Sequence, residues 1–125
     1  METLKPICII EDNTPNRKLF ALLLKKSGYE VFDFENGRSA LNWLKSNTAI
    51  GVIMDILLPD MNGIELIQYI REIPDYKQKK IIAITGFAGS NDRDKFLKAG
   101  FDGYISKPVN TSTFVSDVES ILNTL

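Results

Sequence analysis

The stretch "GVIMDILLPDMNG", residues 51–63, brings an apolar run up to an acid, Asp55, and then breaks the chain with Pro59 and Gly63. An apolar run without polar alternation suits a strand covered on both faces, as in a parallel sheet flanked by helices. A carboxylate at the end of such a strand costs desolvation free energy unless something binds it. Asp55 therefore marks the end of a buried strand and a place where a binding partner is expected.

The same organisation extends along the chain in both directions. Apolar runs at 6–10 ("PICII"), 30–34 ("EVFDF"), 50–54 ("IGVIM"), 80–85 ("KIIAIT") and 103–106 ("GYIS") are each followed by a segment of helical periodicity. That alternation predicts βα units and a parallel sheet, hence an α/β fold. "EVFDF" alternates and predicts an edge strand. The first helix is signalled by Asn13 or Thr14 as N-cap, Pro15 in the first turn, an apolar face of Leu19, Leu22 and Leu23, and Gly28 as terminator. "NGRSALNWLKS" and "GIELIQYIREI" are further amphipathic segments. Residues 89–100, "GSNDRDKFLKAG", offer little more than Phe96, Leu97 and Ala99 as an apolar face, and predict the most weakly anchored helix. Asn110 or Thr111 is expected to cap a last helix carrying Phe114, Val118, Ile121, Leu122 and Leu125 at helical spacing.

Composition excludes several classes of function. A chain of 125 residues with 44% hydrophobic content is expected to form one domain with a real core. Lys plus Arg at 15 nearly balances Asp plus Glu at 16, so no strong overall field attracts nucleic acid or anionic lipid. The basic run "YKQKK", 76–80, is expected to be a solvated loop. Cys8, the single cysteine, lies inside "ICII" and reads as a small buried hydrophobe. No apolar run approaches the ~18 residues of a membrane span, and the start of the chain has no secretory pattern, so a cytoplasmic location without membrane contact is expected. The absence of histidine excludes Ser-His-Asp chemistry, His-ligated zinc and a phosphohistidine on this chain.

In open α/β sheets ligands bind beyond the carboxyl ends of the strands. The first run ends in Glu11 and Asp12, the third in Asp55, the fourth in Thr85 and the fifth in Lys107 and Pro108. Each alone has an ordinary structural explanation, such as a helix cap or a surface lysine. Together they place three carboxylates, a hydroxyl and an ammonium on one edge of one sheet. Converging acids repel in a partly desolvated cleft, and a hard divalent cation removes that penalty. Oxygen-only ligands favour Mg²⁺ or Mn²⁺, which keeps waters and bridges to phosphate oxygen. A carboxylate beside such a cation can act as nucleophile toward phosphorus, with Lys107 and Thr85 stabilising the transferring phosphoryl group.

These residues resemble the receiver domains of two-component response regulators, on the strength of "IIEDN" (9–13), "MDILLPDMNG" (54–63), "AITG" (83–86) and "YISKP" (104–108). The resemblance spans essentially the whole chain, residues 1–125. It implies a doubly wound, flavodoxin-like five-stranded sheet of order 2-1-3-4-5. It implies Asp55 as phosphoacceptor, with Asp12, Asp55 and the Leu57 carbonyl as direct Mg²⁺ ligands and Glu11 acting through water. Thr85 and Lys107 take the places of the phosphoryl-binding pair, Tyr104 that of an aromatic switch, and Lys107-Pro108 that of a cis peptide. Leu57 and Phe87 stand where side chains influence how water reaches an acyl phosphate. Such a domain is a regulator and not an enzyme in the ordinary sense. Its expected partners are a histidine kinase or histidine phosphotransferase and a downstream effector protein. A flavodoxin-like nucleotide binder would instead need an N–H-rich phosphate loop where "EDNTPN" stands. An aspartyl-phosphate phosphatase would carry a second acid at position 57, which is Leu.

Overall fold

In the computed structural model, residues 5–86 and 90–124 are described, and they form alternating strands and helices. The elements are β1 (Pro6–Ile10), α1 (Thr14–Lys26), β2 (Glu30–Phe34), α2 (Gly37–Leu44), β3 (Gly51–Asp55), α3 (Gly63–Glu72), β4 (Lys80–Thr85), α4 (Ser90–Ala99), β5 (Gly103–Ser106) and α5 (Phe114–Leu122). A single 3₁₀ turn, Pro74–Tyr76, separates α3 from β4. All five strands are parallel, in the order β2-β1-β3-β4-β5, which is the doubly wound arrangement implied above. β2 lies at the edge, as its alternation predicts, and has no fully buried residue.

Successive strand residues face opposite sides of a sheet, so two apolar layers arise from the same runs. Cys8, Ile10, Val52, Met54, Ile81 and Ala83 face α2, α3 and α4, where Leu44, Leu66, Ile70 and Phe96 meet them. Ile7, Ile9, Ile53, Ile82, Ile84 and Ile105 face α1 and α5, where Phe20, Leu24, Phe114 and Val118 meet them. Phe20 and Phe114 stack with centroids 5.1 Å apart and join those two helices. Cys8 is fully buried, and burial pushes its thiol pKa up, so it stays an unreactive apolar group.

Several local expectations change. Leu22 is 53% exposed, and the buried stripe of α1 is Phe20, Ala21 and Leu24 with Leu19 and Leu23 beside it. At 100° per residue, Leu22 cannot share a stripe centred between Ala21 and Leu24. Leu97 is likewise 44% exposed, leaving Phe96 as the one fully buried side chain among the described ones of α4. α5 begins at Phe114 with Thr113 at the N-cap position, while Asn110 closes a preceding turn by accepting from Ser112 N–H. β3 runs one residue later than the apolar pattern, so Asp55 is its last residue. Leu125 lies outside the described residues, as do Phe87 and Gly89.

Asn13 caps α1 by accepting from Asn16 N–H, and Gly28 ends the helix with φ of 96°. Tyr29 N–H reaches Leu24 C=O and Gly28 N–H reaches Lys25 C=O, the paired bonds of a Schellman turn.

Tyr76 corrects the expectation of a solvated basic loop, because it is fully buried. Its hydroxyl accepts from Ala49 N–H at 2.9 Å and donates to Asn47 C=O, tying the 3₁₀ turn to the segment that leads into β3. Tyr76→Phe removes both partners at once, so it should lower unfolding free energy by about 1–3 kcal/mol in urea titrations. A change within error of zero would show that the two backbone groups do not need the phenol.

Candidate functional site

Strand register assembles the site. Ile10 pairs with Met54, so Glu11 follows beside Asp55. Asp55 pairs with Ile84, one residue before Thr85, and Thr85 pairs with Ser106, one residue before Lys107. Lys107 N–H donates to Thr85 C=O at 2.9 Å, which fixes the two chain segments against each other. The Lys107-Pro108 peptide is cis.

Glu11, Asp12 and Asp55 each offer a carboxylate oxygen, all within 4.8 Å of one another. Octahedral Mg²⁺ with bonds near 2.1 Å places opposite ligands roughly 4.2 Å apart, so the cluster is of the size such an ion needs once its oxygens draw in by a few tenths of an ångström. Glu11 is 1% exposed and Asp55 8%, whereas Asp12 faces solvent. The Lys107 ammonium lies 2.6 Å from Asp55 Oδ2 and 2.7 Å from Glu11 Oε1. It donates a well-aligned hydrogen bond to Asp55, while buried Glu11 Oε1 has the ionic contact without such alignment. An oxygen atom in that condition, in an oxygen-only donor set, fits a hard cation.

Burial raises the Glu11 pKa, against the pull of Lys107 and of Asn13 N–H on its other oxygen, 3.2 Å away. Burial acting alone would lower the Lys107 pKa, but the hydrogen bond to Asp55 and the ionic contact with Glu11 outweigh it and the pKa is raised. The lysine is therefore held charged.

Thr85 is 2% exposed at the end of β4. Leu57 N–H donates to Asp55 Oδ1 at 3.1 Å, and Leu57 is 57% exposed. Glu11, Asp12, Asp55, Thr85 and Lys107 thus gather at one end of the sheet. Tyr104 lies apart from them, partly buried in β5 with the Arg93 guanidinium 5.9 Å from its ring centroid.

Sequence reasoning missed two supports of this site. Arg17 on α1 donates to Glu11 C=O at 2.9 Å and pairs with Asp33 at 3.2 Å, which holds the backbone of the acidic pair. Asp60, inside the quoted "PDMNG", accepts from Gly37 and Arg38 N–H groups at 2.9 and 2.8 Å. An acid directly after a loop proline was the available signal, but its partners lie more than twenty residues away.

These features define a doubly wound α/β domain with an acidic cleft suited to a cation at its strand ends. The chain belongs to the response regulator receiver domain family, whose model matches residues 7–119, and so is a regulator of two-component signalling. It is 34% identical over 118 residues to the polar-differentiation response regulator DivK of Brucella anthropi, covering 94% of this chain and 96% of that relative. A receiver domain protein of Methanospirillum hungatei superimposes with a TM-score of 0.87 at 30% identity, covering 97% of this chain and 95% of that one. The receiver domain of sensor histidine kinase PA1611 from Pseudomonas aeruginosa, which holds a magnesium ion in its active site cleft, gives 0.87 at 25% identity, covering 98% of this chain and all of that one (100%). No helix among the described residues is long and apolar enough to cross a membrane.

A cation that binds the folded acidic cluster must stabilise the fold by mass action. Mg²⁺ at ten times its dissociation constant should add about 1.4 kcal/mol and raise the melting temperature, whereas Na⁺ at matched ionic strength should not. Identical melting curves would remove the cation from the account of this cluster.

Proposed function

We propose that residues 1–125 act as a phosphoacceptor switch in the cytoplasm, taking a phosphoryl group onto Asp55 from a phosphohistidine of a histidine kinase or histidine phosphotransferase. The observation that carries this reading is Asp55 itself. It ends a buried strand in contact with Lys107 and within 4.8 Å of both other acids. Asp12, Asp55 and the Leu57 carbonyl would hold Mg²⁺ directly, with Glu11 acting through water. The ion's contribution is to neutralise the crowded carboxylates and the phosphoryl oxygens.

The chemistry assigned to the chain's own groups is limited. An Asp55 carboxylate oxygen forms a bond to phosphorus as the phosphorus–nitrogen bond breaks, and the electron pair of that bond leaves with the partner's imidazole. The Lys107 ammonium, held charged, and the Thr85 hydroxyl donate to the equatorial oxygens as charge redistributes. Leu57 N–H keeps the remaining Asp55 oxygen oriented. The exposed Leu57 side chain limits the approach of water to the product.

Output on this reading is a change of surface recognised by a downstream effector protein. Bonds from Thr85 and Lys107 to the new charge supply roughly 3–6 kcal/mol. Moving a two-state equilibrium from 1:99 to 99:1 takes about 5.5 kcal/mol. The two are of the same order. Tyr104 borders a cleft of about 540 Å³ lined by Arg93, Ser106, Asp117 and Ile121. Rotation of its ring would reshape the α4, β5 and α5 face.

Asp55→Asn should abolish phosphate incorporation from a small phosphodonor with Mg²⁺, read by intact mass; incorporation at another residue would refute the assignment. Asp12→Ala should fail through loss of the ion and recover in part at high Mg²⁺, while a metal-independent failure would make Asp12 structural. Thr85→Ala should still accept phosphate but couple it poorly to partner binding. If amide shifts on phosphorylation stay at Asp55 and spare residues 86–106, the switch is not the one described.

A further inference from the structure

Helix α2 begins with three N–H groups that no helical carbonyl can reach, those of Gly37, Arg38 and Ser39. The side chain of its own N-cap, Asn36, accepts from Ser39 N–H, at 2.8 Å. The other two donate to the two oxygens of Asp60, which belongs to the segment between β3 and α3. The cap of α2 is thus supplied from the loop that follows Asp55. Burial would raise the Asp60 pKa, but the Gly37 and Arg38 N–H groups outweigh it and lower it, so the carboxylate stays charged against the positive end of the helix.

The same loop is fixed at its other points. Leu57 and Asn62 form an antiparallel bridge, Gly63 N–H donates to Ile56 C=O at 2.7 Å, and Leu57 N–H donates to Asp55. Gly63 lies so close that a Cβ there would meet the Ile56 Cα at 2.9 Å. Met61 packs against Gly37, with its Cγ 3.1 Å from where a Cβ of that glycine would stand. Residues 56–62 therefore have one attachment to β3 and α3 and a second, through Asp60 and Met61, to α2.

We infer that Asp60 is a positioning residue for the Asp55 site: by capping α2 from the acceptor loop, it holds Leu57 where its backbone can serve the carboxylate and the cation. The inference rests on the function proposed above, because it assigns Leu57 a place in that site. Asp60 is not one of the three acids of the cluster. It acts through the loop.

Two variants separate this role from simple helix stability. Asn36→Ala also removes a cap of α2 but leaves the loop tethered, so it should lower the melting temperature with unchanged Mg²⁺ affinity. Asp60→Ala should raise the Mg²⁺ concentration for half-saturation about tenfold, the low end for residues that orient a metal's ligands. It should also increase amide exchange at Leu57 and Gly63 in metal-free protein. Asp60→Asn retains one acceptor oxygen and should fall between. Asp60→Ala with wild-type Mg²⁺ affinity and wild-type protection at Leu57 would overturn the inference and leave Asp60 as a cap alone. Equal loss of Mg²⁺ affinity in Asn36→Ala would also overturn it, since α2 stability would then suffice. If wild-type protein binds no Mg²⁺, the proposed function fails instead, and exchange at Leu57 and Gly63 still decides whether Asp60 holds the loop.

Discussion

Three carboxylates and one ammonium share the carboxyl end of the sheet, and the repulsion among the three is the constraint on which the rest of the structure depends. At an effective dielectric near 20, two like charges 4–5 Å apart cost roughly 3–4 kcal/mol, less where one of them faces water as Asp12 does. Lys107 offsets part of this by touching both buried members, Glu11 and Asp55. The formal charge of the group is still −2, three negatives against one positive. A domain can hold such a cluster only if the strands that carry it cannot separate. β1 and β3 meet that condition because Ile7, Cys8, Ile9 and Ile10 of the one and Val52, Ile53 and Met54 of the other are buried on both faces of the sheet.

Much of this was legible in the sequence, for a physical reason. A strand covered on both faces must be apolar nearly throughout, so any polar residue at its end stands out. Four of the five strands coincide with the apolar runs residue for residue, and β3 differs by one position at each end. The site residues follow directly from those ends. Strand order was different, since every permutation of parallel strands has the same periodicity, and it came only through the family resemblance. Leu22 and Leu97 were misplaced because a helix with more apolar residues than its stripe can hold does not say which of them are left outside. Tyr76 was hidden inside a basic run, where its hydroxyl partners at Ala49 and Asn47 lie some thirty residues upstream. The roles of Asp60 and Arg17 were not legible for the same reason: they are hydrogen bonds to backbone groups of other elements, N–H donors for Asp60 and a C=O acceptor for Arg17, and backbone groups leave no trace in side-chain pattern.

Arg71 shows how far this backbone bonding organises the molecule away from the site. Its guanidinium reaches Tyr76 and Lys79 C=O at 2.7 Å, Gly100 C=O at 2.6 Å and Asp102 at 3.0 Å. Asp102 in turn accepts from Ile81 N–H at 2.8 Å. One planar group thus fastens the end of α3, the segment entering β4 and the turn between α4 and β5, a use that suits the fixed fork of arginine better than a point charge.

That fastening makes the two neighbours of α3 unlike one another. α2 is held to the acceptor loop at its first turn, through Asp60, and to β2 near its end, where Trp43 stacks on Phe32 at 4.6 Å. For α4, the buried and hydrogen-bonded anchors among the described residues gather toward its C-terminal end. Phe96 packs edge-on to Phe101, Gln68 donates to Ala99 C=O and Arg71 to Gly100 C=O. Among the described side chains before Phe96, Arg93 contacts the Tyr104 ring. A helix fixed at one end can swing about that end at little cost in buried area, whereas a helix fixed at both must move with its neighbours or not at all. The free energy of a local opening follows the apolar contacts it breaks. Among the described residues, α2 is tied at both ends, whereas the buried and hydrogen-bonded ties of α4 lie at Phe96, Ala99 and the turn that follows.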